Sequence, residues 1–454
     1  MTHLFGTSGI RGKINTITPV LALRIGQALA TYTKAGRILT AHDTRTTSPM
    51  LHNALVAGIN GCGATVLQQG IVPTPVLAYL TGQTESNAGA MVTASHNPPE
   101  YNGIKLYNAD TTAYNETQQS QIESVIARRE FKLASWQNIG KTTIVDETMR
   151  YVRMVTEAVK ISEPWRIIVD SGNGAACHLA PKIFHELGCE IISVNSHPDG
   201  HFPGRTAEPN EETLQPLCSL VRKLKANLGI AYDGDGDRMV AVDEKGRMTS
   251  LDRIFAAYAA HVIKHQKNSR TVITHVEASM CVEKAVEAEG GRVVRTKVGD
   301  VNITEAIKKH KAVFGGEPCG AWIHPNYHYC PDGILSSILL VQALEETGQT
   351  LSQFVSKLPR YALMRQNISC PKPVKSVVLE KTIEVLPTLF LQVEKQSKED
   401  GFRLTLKEGW ILIRPSGTES LIRITVEAEN RKTAERIMIK AARLVNKLIR
   451  ESKC

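Results

Sequence analysis

Arg166-Ile167-Ile168-Val169-Asp170 is answered, after an interval long enough for one helix, by Leu187-Gly188-Cys189-Glu190-Ile191-Ile192-Ser193-Val194. Both apolar runs are short, rich in β-branched residues and bounded by polar or glycine signals, which predicts a βαβ unit with Gly188 ending the helix. The same order recurs on either side. Upstream, Ile38-Leu39-Thr40-Ala41 leads through a helical stretch over 49–59 and Gly61-Cys62-Gly63 to Ala64-Thr65-Val66-Leu67. Downstream, Thr271-Val272-Ile273-Thr274 leads through a helix over 281–288 and Gly290-Gly291 to Arg292-Val293-Val294. Three α/β domains of similar wiring follow from this repeat.

The last part of the chain departs from the pattern. After Cys370-Pro371-Lys372-Pro373 come a helix, two strands within 409–429, and a terminal helix over 433–449 whose apolar residues recur at helical spacing between lysines and arginines. That basic face reads as the solvated side of a helix packed on a sheet. The fold class is therefore α/β: three similar α/β/α domains at 1–146, 147–249 and 250–364, and a smaller α+β domain at 365–454.

A chain of 454 residues is ordinary for such an array at roughly 100 to 200 residues per domain. Hydrophobic residues at 42% and charged residues at 22% exclude a disordered chain. No apolar run approaches the ~20 residues of a bilayer span, and the N-terminus lacks the order of a secretion signal, so a cytoplasmic protein is expected. Nine scattered cysteines without a CxxC pair read as reduced thiols rather than a zinc or disulfide framework. The net charge of +9 suits anionic partners, phosphorylated metabolites or nucleic acid. Aromatics at 5% and the absence of zinc-finger or RNP spacing argue against nucleic acid.

The sharpest chemistry lies in Asp233-Gly234-Asp235-Gly236-Asp237-Arg238, directly after the apolar strand 228–232. Carboxylates at i, i+2 and i+4 of an extended chain point the same way, and the glycines let the backbone curve around an ion. All-oxygen ligation selects Mg²⁺ or Ca²⁺. An EF-hand is excluded because Arg238 stands where that loop needs glycine, although Glu244 sits at its twelfth position. A structural acidic turn is the plainer alternative.

In Thr93-Ala94-Ser95-His96-Asn97-Pro98-Pro99 a buried-looking run breaks into small polar residues, a loop that presents a hydroxyl or an ordinary turn. No GxSxG elbow surrounds Ser95. Arg414-Pro415-Ser416-Gly417-Thr418-Glu419 between two strands has the makings of an anion nest, or of a plain hairpin. Phe5-Gly6-Thr7-Ser8-Gly9-Ile10-Arg11-Gly12 and Gly315-Gly316-Glu317-Pro318-Cys319-Gly320 each set a charged residue among glycines without forming a dinucleotide fingerprint.

Taken together and in this order, FGTSGIRG, TASHNPPEYNGIK, DGDGDR, GEPCG and RPSGTE resemble the α-D-phosphohexomutase family over nearly the whole chain. The resemblance implies four domains around a central cleft. It also implies an intramolecular phosphotransferase that exchanges phosphate between O1 and O6 of a hexose through a phosphoserine and a hexose 1,6-bisphosphate. Ser95 matches the carrier serine and, with Asp233, Asp235 and Asp237, the Mg²⁺ ligands. Lys105 and Arg238 match positions that assist proton transfer and steady the phosphoryl group, and Arg11 and His96 match neighbours of the phosphoserine. Glu317 and Cys319 would face sugar hydroxyls; Lys297, Arg414, Ser416, Gly417, Thr418 and Arg423 complete the substrate contacts the resemblance implies.

Many members carry serine in place of Cys319, and several glucose/mannose mutases carry histidine in place of Asp300. Lys297-Val298-Gly299-Asp300, GEPCGAWIHP and CPDGILS are more similar to the phosphoglucosamine mutases of the archaeal branch. Glucosamine 6-phosphate is the expected substrate, with phosphomannomutase or phosphoglucomutase as the runner-up and a Mg²⁺-dependent sugar phosphatase further off. The expected partner is a phosphosugar, with no nucleic acid and no membrane, and a homo-oligomer stays open.

Overall fold

A computed structural model describes residues 4–6, 8–416 and 419–452. Its first three sheets share one four-strand core, an antiparallel edge strand followed by three parallel strands. In the first unit the order is Tyr101–Asn108, Ala88–Val92, Arg37–His42, Thr65–Ile71. The second runs Met239–Val242, Leu228–Tyr232, Arg166–Asp170, Glu190–Val194. The third runs Ala321–Ile323, Phe314–Glu317, Thr271–His275, Arg292–Thr296. The strand pairs expected from the sequence repeat are the two parallel strands at one side of each core. The first sheet is widened by Ile10–Lys13 beside Tyr101–Asn108 and by Thr142–Ile144 at its far edge.

Strands covered on both faces read as continuous apolar runs, as Ile167, Ile168 and Val169 do, all fully buried. Between the parallel strands the chain crosses over in the helices Ser48–Gly61, Leu179–Glu186 and Cys281–Ala288, each ending ahead of a glycine of positive φ at 63, 188 or 290. The third parallel strand of each core then turns straight back into the antiparallel edge strand. The three hairpin loops so formed, at 93–100, 233–238 and 318–320, lie at the carboxyl ends of equivalent strands. They are the three chemistry-bearing segments of the first three domains.

One core joins the three units: Leu39 and Met91 from the first, Ile167 and Ile230 from the second, and Phe314 and Trp322 from the third belong to a single cluster. The C-terminal unit has its own. It is a five-stranded antiparallel sheet in the order Ala362–Ser369, Leu421–Ala428, Gly409–Pro415, Phe402–Leu406, Val393–Ser397, three strands more than the sequence predicts. Its first strand straddles the expected domain break between 364 and 365 and pairs along all its length with Leu421–Ala428. The terminal helix runs Arg431–Glu451, burying Ala434, Ile437, Ala441 and Val445 and exposing Arg436, Lys440, Arg443 and Lys447.

This unit docks on the third through Trp410 and Leu412 against Val276. Glu427 Oε2 accepts from both Trp410 Nε1 and the Met280 N–H, each at 2.8 Å. The eight described cysteines are all free thiols. Among the described residues no helix is long and apolar enough to cross a membrane.

Candidate active site

Ser95 sits in the first hairpin loop with φ +52°, a left-handed conformation that non-glycine residues adopt only when their surroundings hold them. Five neighbours do so. The Ser95 N–H donates to Thr93 Oγ1 at 2.9 Å, and its carbonyl accepts from Arg45 Nη2 at 2.8 Å. Gly234 of the second hairpin lies so close that a Cβ there would stand 2.4 Å from the Ser95 carbonyl oxygen. Ser95 Oγ then donates to Asp233 Oδ2 at 2.8 Å and lies 3.3 Å from His96 Nδ1. The serine and the acidic loop, 138 positions apart, are thus in direct contact.

Arg45 is fully buried and spreads its guanidinium over the carbonyls of Ser95, Asn97, Pro98 and Tyr101, while Nε donates to Asp43 Oδ2 at 3.0 Å. Asp43 also accepts from Ser48 Oγ and Thr93 Oγ1 at 2.6 and 2.7 Å. Neither residue is among those expected from the sequence. The signal was the segment Asp43-Thr44-Arg45 at the carboxyl end of a parallel strand, where loops of open α/β sheets carry function.

Asp233, Asp235 and Asp237 offer oxygens within 4.8 Å of one another, and all three residues are buried. Lys105 Nζ donates to Asp235 Oδ2 and Asp237 Oδ2, each at 2.7 Å, and Thr74 Oγ1 donates to Asp235 at 2.5 Å. Burial opposes the Lys105 charge, yet the two carboxylates overcome it and raise its pKa above the ordinary lysine value. Burial likewise disfavours ionised Asp235, but Lys105 and its hydrogen bonds hold that carboxyl below its usual range. Asp233 moves the other way, pushed up by burial and by the charges of Asp237 and Asp235. Asp235 Oδ1 and Asp237 Oδ1 remain buried without a hydrogen-bond partner, the latter 3.9 Å from Arg238 Nε. Carboxylate and hydroxyl oxygens with unmet acceptors are a donor set for a hard divalent cation. Glu244 is elsewhere, bonded to Ser352 Oγ at 2.5 Å.

A cavity of about 290 Å³ opens in front of this cluster, lined by Arg11 and His96 from the first unit, Asp237 and Arg238 from the second, and Glu317 and Cys319 from the third. Ser95 lies behind that wall, with no exposure. Burial and the charges of Arg238 and Arg11 push His96 down to about 3, so its ring is neutral. Burial works against the Arg238 charge, but the carboxyl groups of Asp237, Asp233 and Glu208 keep it charged. Burial pushes the Cys319 thiol up to about 12. Burial, reinforced by the charge of Asp300, raises Glu317 to about 7.

Glu208, also not expected from the sequence, places Oε2 3.7 Å from both His96 Nε2 and Arg238 Nη1. It reaches the site from a loop of the second unit, where no spacing marks it.

The expected phosphate loop is placed in part. Arg414 Nη1 meets Asp400 Oδ2 at 2.9 Å and Nη2 meets Glu277 Oε1 at 3.3 Å, so this arginine bridges the fourth and third units at the edge of the cleft. Ser416 Oγ accepts the Glu419 N–H at 3.1 Å, and buried Lys375 braces the loop from below through the carbonyls of Ser416 and Glu419. Gly417 and Thr418 lie outside the described residues. Arg423 is half-exposed and paired with Glu419 at 2.8 Å. Lys297 is exposed at the end of Arg292–Thr296 and does not line the cavity.

Four family models match consecutive parts of the chain: phosphoglucomutase/phosphomannomutase α/β/α domain I over residues 2–133, domain II over 149–246, domain III over 250–361, and the C-terminal domain over 367–444. The phosphoglucosamine mutase of Methanococcus maripaludis is 41% identical over 441 residues, 96% of either chain. That of Methanocaldococcus jannaschii is 40% identical over 454 residues, 99% of either chain. Among solved structures, a phosphoglucomutase/phosphomannomutase family protein from Burkholderia thailandensis superposes with a TM-score of 0.88 at 26% identity, covering 99% of this chain and 98% of that one.

Proposed function

This chain belongs to the phosphoglucomutase/phosphomannomutase family, the α-D-phosphohexomutases, and from that premise we propose that it interconverts glucosamine 6-phosphate and glucosamine 1-phosphate. In this reading phosphorylated Ser95 is the carrier, a hexose 1,6-bisphosphate the intermediate, and Mg²⁺ sits at Asp233, Asp235 and Asp237 with an oxygen on Ser95. The observation that carries it is the contact of Ser95 Oγ with Asp233 beside the Lys105–Asp235–Asp237 cluster, behind a cleft walled by three units. The names of the archaeal relatives support the amino sugar. A water-soluble phosphosugar substrate supports the reading of a cytoplasmic enzyme.

The donor set fits magnesium because it holds only oxygen and leaves two buried carboxylate oxygens without a hydrogen bond. When bound, the ion neutralises charge on the transferring phosphoryl group. The side chains do the rest. A sugar hydroxyl attacks the phosphorus of phosphoserine 95 in line; the P–O bond to the sugar forms and the P–O bond to Ser95 breaks. The hydroxyl proton passes to the site, and Ser95 Oγ takes up a proton to become the hydroxyl that donates to Asp233. Phosphoryl transfer gathers charge on its equatorial oxygens, and Lys105, Arg238 and Arg11 are the cations placed around that point. Glu317 and Cys319 hold sugar hydroxyls, and Arg414 with Ser416, Gly417 and Thr418 grips the phosphate that is not reacting. The bisphosphate then presents its other phosphate, and the steps run in reverse to restore phosphoserine.

The test is a panel of glucosamine, glucose, mannose and N-acetylglucosamine phosphates assayed for 1-to-6 interconversion with Mg²⁺ and catalytic bisphosphate. Highest kcat/KM on glucosamine phosphate is expected. A tenfold preference for glucose or mannose phosphate overturns the substrate, and steady release of free phosphate overturns the mutase.

A further inference from the structure

Asp170 closes the middle parallel strand of the second sheet much as Asp43 follows that of the first, and each of these aspartates holds a buried arginine. Arg205 Nε donates to Asp170 Oδ2 at 3.0 Å, Nη1 to the Thr206 carbonyl at 3.0 Å, and Nη2 to the carbonyls of Asp170 and Tyr232 at 3.2 and 2.6 Å. The Tyr232 carbonyl belongs to the peptide group whose nitrogen is that of Asp233. This guanidinium therefore grips the first peptide of the acidic loop, as Arg45 grips the loop of Ser95. The chain reaches the two arrangements by different routes, since Arg45 stands 2 positions from its aspartate and Arg205 stands 35. The third hairpin lacks such a brace: among the described residues no arginine donates to a carbonyl of 318–320, and the Gly320 carbonyl accepts the Met239 N–H at 3.1 Å instead.

The surroundings are built to this guanidinium. Asp170 Oδ1 accepts from the Gly172 N–H at 2.9 Å and from Asn195 Nδ2 at 3.1 Å, so both carboxylate oxygens are engaged. Gly172, at φ +54°, lies so close that a Cβ there would stand 2.6 Å from Arg205 Cζ. From the same turn the Ala175 N–H donates to the Gly234 carbonyl at 3.0 Å, a second hold on the acidic loop. Arg205 shares its segment with Phe202, whose ring centre lies 5.2 Å from the Arg45 guanidinium, and with Glu208 beside His96 and Arg238. Segment 202–208 thus touches the braces of both hairpins. A buried ion pair is a poor source of stability for its desolvation cost, but a planar fork on one carboxylate and three carbonyls fixes a backbone as an apolar pair cannot.

We propose that Arg205 is a positioning residue for the divalent cation: anchored on Asp170, it fixes the peptide before Asp233 and thereby sets that carboxylate against Asp235, Asp237 and Ser95 in the spacing that ion binding needs. The proposal rests on the magnesium reading above and deepens it.

The experiment is calorimetric titration of Mg²⁺ into wild type, Asp235→Asn, Arg205→Lys and Asp170→Asn, each in one phosphorylation state by intact mass, with urea unfolding and steady-state kinetics alongside. Arg205→Lys keeps the charge and loses the fork, so a change in affinity reports geometry rather than field. Its Kd for Mg²⁺ should rise about 10- to 100-fold, while kcat at saturating Mg²⁺ returns to within about 3-fold of wild type and KM for the sugar phosphate stays within about 2-fold. Asp170→Asn keeps acceptor capacity but slackens the pair; it should shift Kd in the same direction, and it decides the matter if Arg205→Lys does not fold. A wild-type Kd in the folded variants, whatever their urea midpoints, overturns the proposal and leaves Arg205 a structural arginine. The magnesium reading fails separately, if the wild type binds no Mg²⁺ or Asp235→Asn binds it equally well.

Discussion

Arg45 Nη2 donates to the carbonyl oxygen of Ser95 at 2.8 Å, across 50 positions of sequence. The same side chain holds three more carbonyls of that loop, so the left-handed backbone at Ser95 is fixed by one guanidinium anchored on Asp43. Arg45→Ala should cost on the order of 3 to 5 kcal/mol of stability, because it strands buried acceptors and the Asp43 charge. Arg45→Lys keeps the charge but not the fan of donors, and should fold while losing about 10- to 100-fold in kcat with KM little changed. Denaturant titration and steady-state kinetics measure the two; a wild-type kcat in Arg45→Lys would separate this arginine from the placement of Ser95.

Ser95→Ala removes the proposed phosphoryl carrier and should lose at least about 10³-fold in kcat. Incubation with hexose bisphosphate should add one phosphate to the wild type and none to the variant by intact mass. Equal phosphorylation of both would assign the carrier elsewhere.

Asp235→Asn keeps an acceptor oxygen and loses the charge that pairs with Lys105 and that Mg²⁺ would use at the proposed site. Magnesium binding by calorimetry and activity should fall together, while the fold persists. Activity that survives dialysis against EDTA counts against the metal reading.

Arg414 is held by Asp400 and Glu277, so a substrate phosphate has to compete with two carboxylates for it. Arg414→Ala should cost about 2 to 4 kcal/mol in binding, seen as a higher KM for the 1-phosphate and the 6-phosphate alike and as more frequent escape of bisphosphate. A wild-type KM for either isomer would reduce loop 414–418 to a hairpin.

Glu317 carries a pKa raised to about 7 by burial and by Asp300. Its protonated form is therefore favoured by folding. The stabilisation is full below the ordinary glutamate pKa and is lost as pH rises through about 7, a change on the order of 3 kcal/mol for a shift of this size. Glu317→Gln should match the wild type in urea unfolding near pH 4 and exceed it near pH 8.5. Equal stability of the two proteins at both pH values would place Glu317 in a wetter setting.

Much of the scaffold was legible because it is local. The helix over 281–288 coincides with Cys281–Ala288, and the strands 166–170 and 190–194 coincide with Arg166–Asp170 and Glu190–Val194. Their apolar runs and closing glycines need no distant partner to be read. Val393–Ser397 was illegible for the opposite reason: it is a largely exposed edge strand without alternation, defined by its pairing with Phe402–Leu406. At the site, Asp233, Asp235 and Asp237 announce themselves by spacing. Arg45 and Glu208 do not, since what they touch belongs to other loops. Arg414 was legible as a cation in a turn, but its two carboxylate partners, Glu277 and Asp400, are visible only once the third and fourth units are docked.

Ser95, the acidic triad and Cys319 occupy one equivalent hairpin in three copies of one sheet, so the proposed roles of carrier, metal site and sugar contact fall one to each copy. Labour is thereby divided by copy. A chimera that takes its third hairpin and the neighbouring 297–300 turn from a relative of different sugar preference would inherit that preference while keeping its own phosphoryl chemistry. Mutational drift in the third copy can then explore new hexoses without putting the machinery of the first two at risk.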